Sequence, residues 1–335
     1  MTLEDLDFTY SDDLVATVPA TQSKVMWVED GHPIELSLPE VVARIPEGDV
    51  FVINDTKVLK RRIFTEKNLE ILFIRELEER QWEVLMPASK IGKREVNLPG
   101  GMSCKMIRGG RPQVVETSAP LTEKYFIEHG QLPLPPYIQK LREQRGPQSM
   151  DDEWYQTVWA EKPGSLAAPT ASFHFKNEHL AALKRRGVSI EVVTLHVGLG
   201  TFLPITAGDF NNHKMHHEAV EVMASTWERI QLARSQGKKI WALGTTVART
   251  LESCGAGLVA NDGLGGFHGT TDLFIKPGYR FGVVDRLLTN FHQPRSTLLA
   301  LVMAFAGVAP VKNAYQWACN KRFRLFSYGD LTVWK

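Results

Sequence analysis

The chain alternates between two kinds of hydrophobic patterning. Val50-Phe51-Val52-Ile53 is a short apolar, β-branched run that reads as a buried strand, with Asn54-Asp55-Thr56-Lys57 at its carboxyl end. After Arg62 the pattern changes to brief strand-like runs over 69–77, 81–86, 94–98, 102–107 and 112–115, separated by Gly, Pro, Lys and Glu. Frequent short strands with turn signals predict a small sandwich or barrel. A helix-like segment, Leu121 to His129, ends at Gly130; an extended proline-rich strap (Leu132 to Tyr137) and a polar loop (Leu141 to Asp152) follow.

From Trp154 the longer α/β alternation resumes. Asn177 to Arg186 is a helix closed by Gly187, and Ser189 to Val197 is a strand running into Gly198-Leu199-Gly200-Thr201. Met215 to Val222 alternates as a strand, Thr226 to Gln236 is a helix, and Lys239 to Leu243 is a strand. Gly244-Thr245-Thr246 then opens a helix over Val247 to Cys254. Ser296 to Ala306 and Ala314 to Phe323 are further helices, and Leu331 to Trp334 is a terminal strand. Between them, Thr270 to Ser296 carries too many hydrogen-bonding groups for plain scaffold, Asp272, Tyr279, Asn290, His292 and Arg295 among them, and reads as a long functional loop. This pattern predicts an α/β domain formed by residues 1–62 and 152–335, interrupted by a β-domain over 63–151.

Bulk composition narrows the function classes only slightly. The 335 residues carry a net charge of +1, so a nucleic-acid partner would need a local basic patch. Three widely spaced cysteines and no CxxC fit reduced thiols, and the acidic start MTLEDLDFTYSDD is unlike a signal peptide; the expectation is a cytoplasmic protein without membrane spans.

Several constellations carry chemistry. Asn54-Asp55 lies where open α/β sheets bind ligands, or makes an Asx turn. Strand–Gly244-Thr245-Thr246–helix offers free N–H groups and a positive helix end to a carboxylate or phosphate, and either threonine also suits a helix cap. His174 and His292 stand beside helix starts, where an imidazole can move protons near neutral pH; His196, in an apolar strand, reads as a hydrogen-bonded core residue. His216 and Glu218 share one strand face, but no third metal ligand follows from the spacing. Gly198-x-Gly200 lacks the rest of a dinucleotide fingerprint.

The segments GDVFVINDTKV, QLPLPPYI, YQTVWAEKPGSLAAPTASFHF, LHVGLGTFLPI, KMHHE, ALGTTVARTLES, TDLFIKPGYRFGVVDRLLTNFHQPRSTLLALVMAFAG and RFRLFSYGD span almost the whole chain. In this order the chain resembles the S-adenosylmethionine:tRNA ribosyltransferase-isomerase family of queuosine biosynthesis. The resemblance implies a three-layer α/β/α main domain with an inserted small β-barrel, acting as a monomer. It implies transfer and isomerisation of the ribosyl part of S-adenosylmethionine onto 7-aminomethyl-7-deazaguanine at the wobble position of tRNA. Adenine and methionine leave, epoxyqueuosine forms, and neither a metal nor a prosthetic group is required. Such chemistry needs a base for the C5′ proton next to the sulfonium, an acid for departing adenine, and donors for the methionine carboxylate.

On that basis His292, His174 and His216 are the acid–base candidates, with Asp55 and Asp272 orienting a histidine or binding ribose. Gly244, Thr245, Thr246 and Arg249, with Gly198, Gly200 and Thr201, are candidates for S-adenosylmethionine. Asn54, Lys57, Tyr279, Asn290 and Arg295 are candidates for base or tRNA contacts. The sequence departs from the family pattern at its shortened N-terminal segment LVATVPATQSKVMWV, at Lys57 in place of arginine, at Ser172-Phe173-His174-Phe175-Lys176 and at His217. Lys57 keeps the charge without the bidentate fork. These departures leave a second expectation open: a paralogue that binds tRNA or uses S-adenosylmethionine on another nucleoside.

Overall fold

The computed structural model describes residues 3–87, 89, 94–142, 150–198, 200, 213 and 215–335. In chain order its strands are β1 (Lys24–Glu29), β2 (His32–Ser37), β3 (Val50–Asn54), β4 (Thr56–Val58), β5 (Arg62–Phe64), β6 (Glu70–Glu78), β7 (Gln81–Leu85), β8 (Glu95–Asn97), β9 (Ser103–Arg108), β10 (Gln113–Thr117), β11 (Lys162–Ser165), β12 (Ser189–Leu195), β13 (Glu218–Val222), β14 (Ile240–Leu243), β15 (Phe267–Thr271), β16 (Arg286–Asn290) and β17 (Leu331–Trp334). The α-helices are α1 (Leu38–Arg44), α2 (Glu123–His129), α3 (Pro136–Leu141), α4 (Asp151–Trp154), α5 (Asn177–Arg185), α6 (Ala224–Ser235), α7 (Thr245–Gly255), α8 (Thr297–Ala306) and α9 (Val308–Asn320). A 3₁₀ turn covers Thr170–His174.

The fold is mixed α/β, and the chain divides into two compact units. One comprises Met1–Lys57 with Gln156–Lys335, the other Val58–Tyr155. The first holds a nine-stranded sheet ordered β15-β13-β12-β3-β14-β16-β17-β1-β2. Its centre, β12-β3-β14-β16, is parallel throughout. β3 and β14 are almost wholly apolar because helices cover them, as parallel strands require, whereas β12 and β16 carry polar residues mainly toward their ends. Phe51, Ile53, Trp241, Leu243 and Leu288 point to one face, where Val41, Val42 and Ile45 from α1 and its carboxyl end, and Leu183 of α5, close the core. Val50, Val52 and Ala242 alternate to the other face. Helix α7 packs against β3, β12, β14 and β16, and α6 against β12 and β14.

The second unit is a six-stranded antiparallel sheet ordered β5-β6-β7-β10-β9-β8. Its core is a triangle of Phe73, Trp82 and Phe126 rings with centroids 5.3–5.8 Å apart, all edge-to-face. No ladder joins its end strands β5 and β8 among the described residues. One backbone bond, from the Glu66 N–H to the Asn97 carbonyl at 3.3 Å, runs between the segment after β5 and β8.

Four expectations change. The strand expected from Met215 begins only at Glu218, so His216 lies outside it. The strap through Tyr137 turns helical at Pro136, because a proline at the first helical position has its φ preset and needs no N–H partner. The stretch Thr270–Ser296 is not one long loop: β16 crosses it as a central strand. The helix expected from Ala314 starts at Val308, directly after Gly307, whose φ of 88° turns the chain sharply between α8 and α9. The β1–β2 hairpin was also unread, although Asp30-Gly31 (φ 50° and 77°) is a strong hairpin turn signal.

Candidate functional site

All four parallel strands end on the same edge. The register sets Asn54 of β3 against Val193 of β12, and Leu243 of β14 against Leu288 of β16. Side chains just beyond these ends therefore converge, where open α/β sheets place ligands.

Two hydrogen-bonded groups form there. Asn54 at the end of β3 is fully buried; its Nδ2 donates to the Leu195 carbonyl at 3.1 Å and to Thr246 Oγ1 at 3.3 Å. Its Oδ1 accepts from the Thr56 N–H at 3.1 Å and the Leu195 N–H at 3.2 Å, so the amide locks β3, β12 and the start of α7 together. Gly244 precedes α7 with φ 99°, a conformation that suits glycine, and its N–H donates to the Leu288 carbonyl at 2.7 Å. The first N–H groups of α7 have no acceptor within the helix, and the helix dipole adds positive potential there.

The second group runs through the 3₁₀ turn. Thr170 Oγ1 donates to Asn290 Oδ1 at 2.7 Å, Asn290 Nδ2 faces His174 Nε2 at 3.2 Å, and His174 Nδ1 meets Ser23 Oγ at 2.7 Å. With Thr170 fixing the amide, Asn290 donates to Nε2, which places the ring proton on Nδ1, directed at Ser23. Burial, with Arg324 nearby as the second cause, lowers the His174 pKa to about 4. The ring is therefore neutral at pH 7.

Asp55, next to Asn54, is 6% exposed and accepts from Thr194 Oγ1 at 2.6 Å. Burial raises its pKa against the pull of that bond and of Lys162, making the carboxylate a better proton acceptor than an exposed one. Thr56 Oγ1 lies 2.7 Å from His196 Nδ1, and the His196 ring packs on the open Cα of Gly164, so His196 is a hydrogen-bonded packing residue.

Most of the remaining candidates are held by partners outside these two groups. His292 lies two residues beyond β16 and is tied to the face opposite Asn290: its Nε2 bonds Oγ1 of Thr289, which alternates away from Asn290, at 2.8 Å, and its N–H donates to the Tyr315 hydroxyl at 3.0 Å. Burial lowers its pKa to about 3. His216 is exposed beside Gly200. Asp272 is exposed and 4.0 Å from the equally exposed His217. Lys57 is exposed on β4. Arg295 (φ 56°) pairs with Asp7, its Nε 2.9 Å from Oδ2. Tyr279 donates to Glu252 at 3.0 Å, and that carboxylate also takes the N–H groups of Gly282, Val283 and Val284. Gly198 donates its N–H to Glu218 at 3.0 Å. Arg249 forms a buried ion pair with Glu218 and donates Nε to the Leu273 carbonyl at 3.2 Å. Thr201 lies outside the described residues. Among the described residues no three His, Cys, Asp or Glu side chains gather in a metal-holding group.

Sequence reasoning missed Thr170, Ser23, Glu218 as the partner of Arg249, and Glu252. Thr170 stands four residues before His174 in the small-residue run, a spacing that flags it; Ser23 carries no local signal, because 151 residues separate it from His174.

The sequence model of the family described as "Queuosine biosynthesis protein" matches residues 3–333. A protein of Halothermothrix orenii named S-adenosylmethionine:tRNA ribosyltransferase-isomerase is 39% identical, the match covering 98% of each chain. A relative of the same name from Burkholderia mallei is also 39% identical, over 98% of this chain and 95% of its own. Among solved structures, the S-adenosylmethionine tRNA ribosyltransferase of Thermotoga maritima matches with a TM-score of 0.56 and 28% identity, covering 98% of this chain and 99% of that one.

Proposed function

Because the chain belongs to the queuosine biosynthesis protein family, we propose that it is an S-adenosylmethionine:tRNA ribosyltransferase-isomerase. In this reading it moves the ribosyl unit of S-adenosylmethionine to 7-aminomethyl-7-deazaguanine at the tRNA wobble position. The observation that carries the reading is the match over nearly the full chain, at 39% identity, to relatives of that name. The convergence of polar groups at one edge of the sheet supports it physically.

The amino end of α7, with Gly244, Thr245 and Thr246, takes the methionine carboxylate on its unpaired N–H groups. Gly198, Gly200 and Thr201 lie on the segment after β12 and serve the same cofactor. Asp55, with its raised pKa, is the better placed proton acceptor for the C5′ position or for the attacking amine, which must be neutral to react. His174 is neutral and held as the Nδ1–H tautomer, so it orients and hydrogen-bonds more readily than it deprotonates. Asn290, which keeps one amide hydrogen and one lone pair, supplies an amide for ribose or base edges, while Asn54 fixes the strand ends around it. Lys57 and Arg295, both exposed, suit phosphate contacts. The Glu66–Asn97 backbone bond supports a small barrel in the second unit, and the helices over both sheet faces support a three-layer main domain. We read the protein as a cytoplasmic monomer; among the described residues no single helix is long and apolar enough to cross a membrane.

The deciding experiment incubates the protein with S-adenosylmethionine and tRNA bearing 7-aminomethyl-7-deazaguanine. Adenine, methionine and a nucleoside of epoxyqueuosine mass are expected together. Binding of the tRNA without any of the three would overturn the proposal, and so would adenine release that occurs only with another acceptor.

A further inference from the structure

Arg249 sits one helical turn beyond Thr246 on α7, and its side chain leans toward the amino end of that helix as helical side chains do. Its own bonds decide which part of a bound cofactor it can serve. Nη1 is paired with Glu218 Oε2, and Nε donates to the Leu273 carbonyl at 3.2 Å. Nη2 is buried and has no partner among the described residues. Arg249 is 5% and Glu218 3% exposed, so solvent does not complete the set. The other Glu218 oxygen takes the Gly198 N–H at 3.0 Å, at the carboxyl end of β12. The cation is thus already neutralised in a dry site, and one planar N–H₂ group is left to give.

A second carboxylate at this guanidinium would place two anions on one buried cation, and the uncompensated charge is costly away from water. A neutral oxygen completes the donor set without that cost. The start of α7 meanwhile offers an anion both N–H groups and dipole.

Resting on the S-adenosylmethionine reading above, we propose that Glu218 is a positioning residue that keeps Arg249 as a charge-neutralised donor. Arg249 Nη2 then serves an uncharged oxygen of the nucleoside part of S-adenosylmethionine, a ribose hydroxyl, and not the methionine carboxylate. The assignment separates two subsites along one helix, with the carboxylate on the first turn and ribose on the second.

The test measures binding of S-adenosylmethionine and of its decarboxylated analogue by calorimetry, without tRNA. Proteins compared are the wild type, Arg249→Lys, the charge-balanced double variant Glu218→Gln/Arg249→Gln, and Glu218→Gln alone. Arg249→Lys and the double variant are expected to lose about tenfold in affinity for both ligands, the value of one hydrogen bond from a charged group. The ratio between the two ligands should stay as in the wild type. Glu218→Gln alone frees the guanidinium charge and should shift that ratio toward the carboxylated ligand. Loss confined to S-adenosylmethionine would place the carboxylate on Arg249 and overturn the proposal, as would unchanged affinity for both ligands. Melting temperatures identify a variant that merely misfolds, and Arg249→Lys keeps the buried charges paired if the double variant does. A wild type that binds neither ligand would instead sink the S-adenosylmethionine reading.

Discussion

Two histidines three residues or fewer from the ends of neighbouring elements have different surroundings. His174 is tied to Ser23 and, through Asn290, to Thr170 at the convergence of the parallel strands. His292 is bonded to Thr289 and Tyr315 in the packing on the opposite face. His292→Gln is therefore expected to lower stability by about 1–3 kcal/mol, the range for disturbing a buried hydrogen-bonded group, with S-adenosylmethionine affinity within twofold of the wild type. His174→Gln should cut adenine release at least tenfold with a smaller loss of stability. Urea denaturation and single-turnover assays separate the two, and a His292 variant that folds normally but loses turnover would return that residue to the site. The same rings impose a pH dependence. Unfolded, each takes a proton near its ordinary value of 6.5; folded, only near 4 and near 3. Stability is thus complete above about pH 7 and is lost as pH falls from 6.5 toward 3. Asp55 and Asp330, whose pKa values burial raises, take protons first in the folded state and offset part of that loss. Melting temperature followed from pH 8 to 4 should fall, and fall less steeply in the two glutamine variants.

At the scale of elements, α7 organises more than its amino end. Arg249 and Glu252 are three residues apart and hold successive parts of the 271–284 segment, Arg249 through the Leu273 carbonyl and Glu252 through Tyr279 and three backbone N–H groups. Glu252→Gln replaces one acceptor oxygen by a donor facing other donors. It should cost about 3 kcal/mol in urea denaturation, against about 1 kcal/mol for Tyr279→Phe. A loss for Glu252→Gln no larger than for Tyr279→Phe would mean the backbone donors find other acceptors. This clamp also explains what could be read from sequence. The strand–GTT–helix unit was legible because periodicity changes sharply at Gly244 and all its parts are adjacent. Residues 270–296 were recognisable as dense in chemistry but not as β16, because Arg286-Leu287-Leu288-Thr289-Asn290 is short and its strand partners, β14 and β17, lie elsewhere in the chain. The partners of Tyr279 and Arg295 were illegible for the same reason: Glu252 and Asp7 are 27 and 288 residues away. Local pattern identifies a group that needs a partner and is silent about which partner it finds.

For the whole molecule, two units with separate hydrophobic cores imply two unfolding events. Phe73→Ala removes one side of the Phe73–Trp82–Phe126 triangle, and large-to-small changes of this kind cost about 3–5 kcal/mol. Calorimetry should show one of two transitions moving down while the other stays in place. A single transition that shifts as a whole would mean that the units unfold together.

The sheet order carries a consequence for how the chain is made. Strand β17 lies between β16 and β1, pairing parallel with β1 from Val25↔Leu331 onward and antiparallel with β16. The hairpin made first on the ribosome therefore has no place in the sheet until residues some 300 positions later have emerged. Until then Val25 and Trp27 have no β17 beside them, on a nascent chain whose parallel centre can already assemble. Long-range closures of this kind fold slowly and leave apolar edges waiting, so synthesis of this protein is expected to depend on holding chaperones up to its last strand.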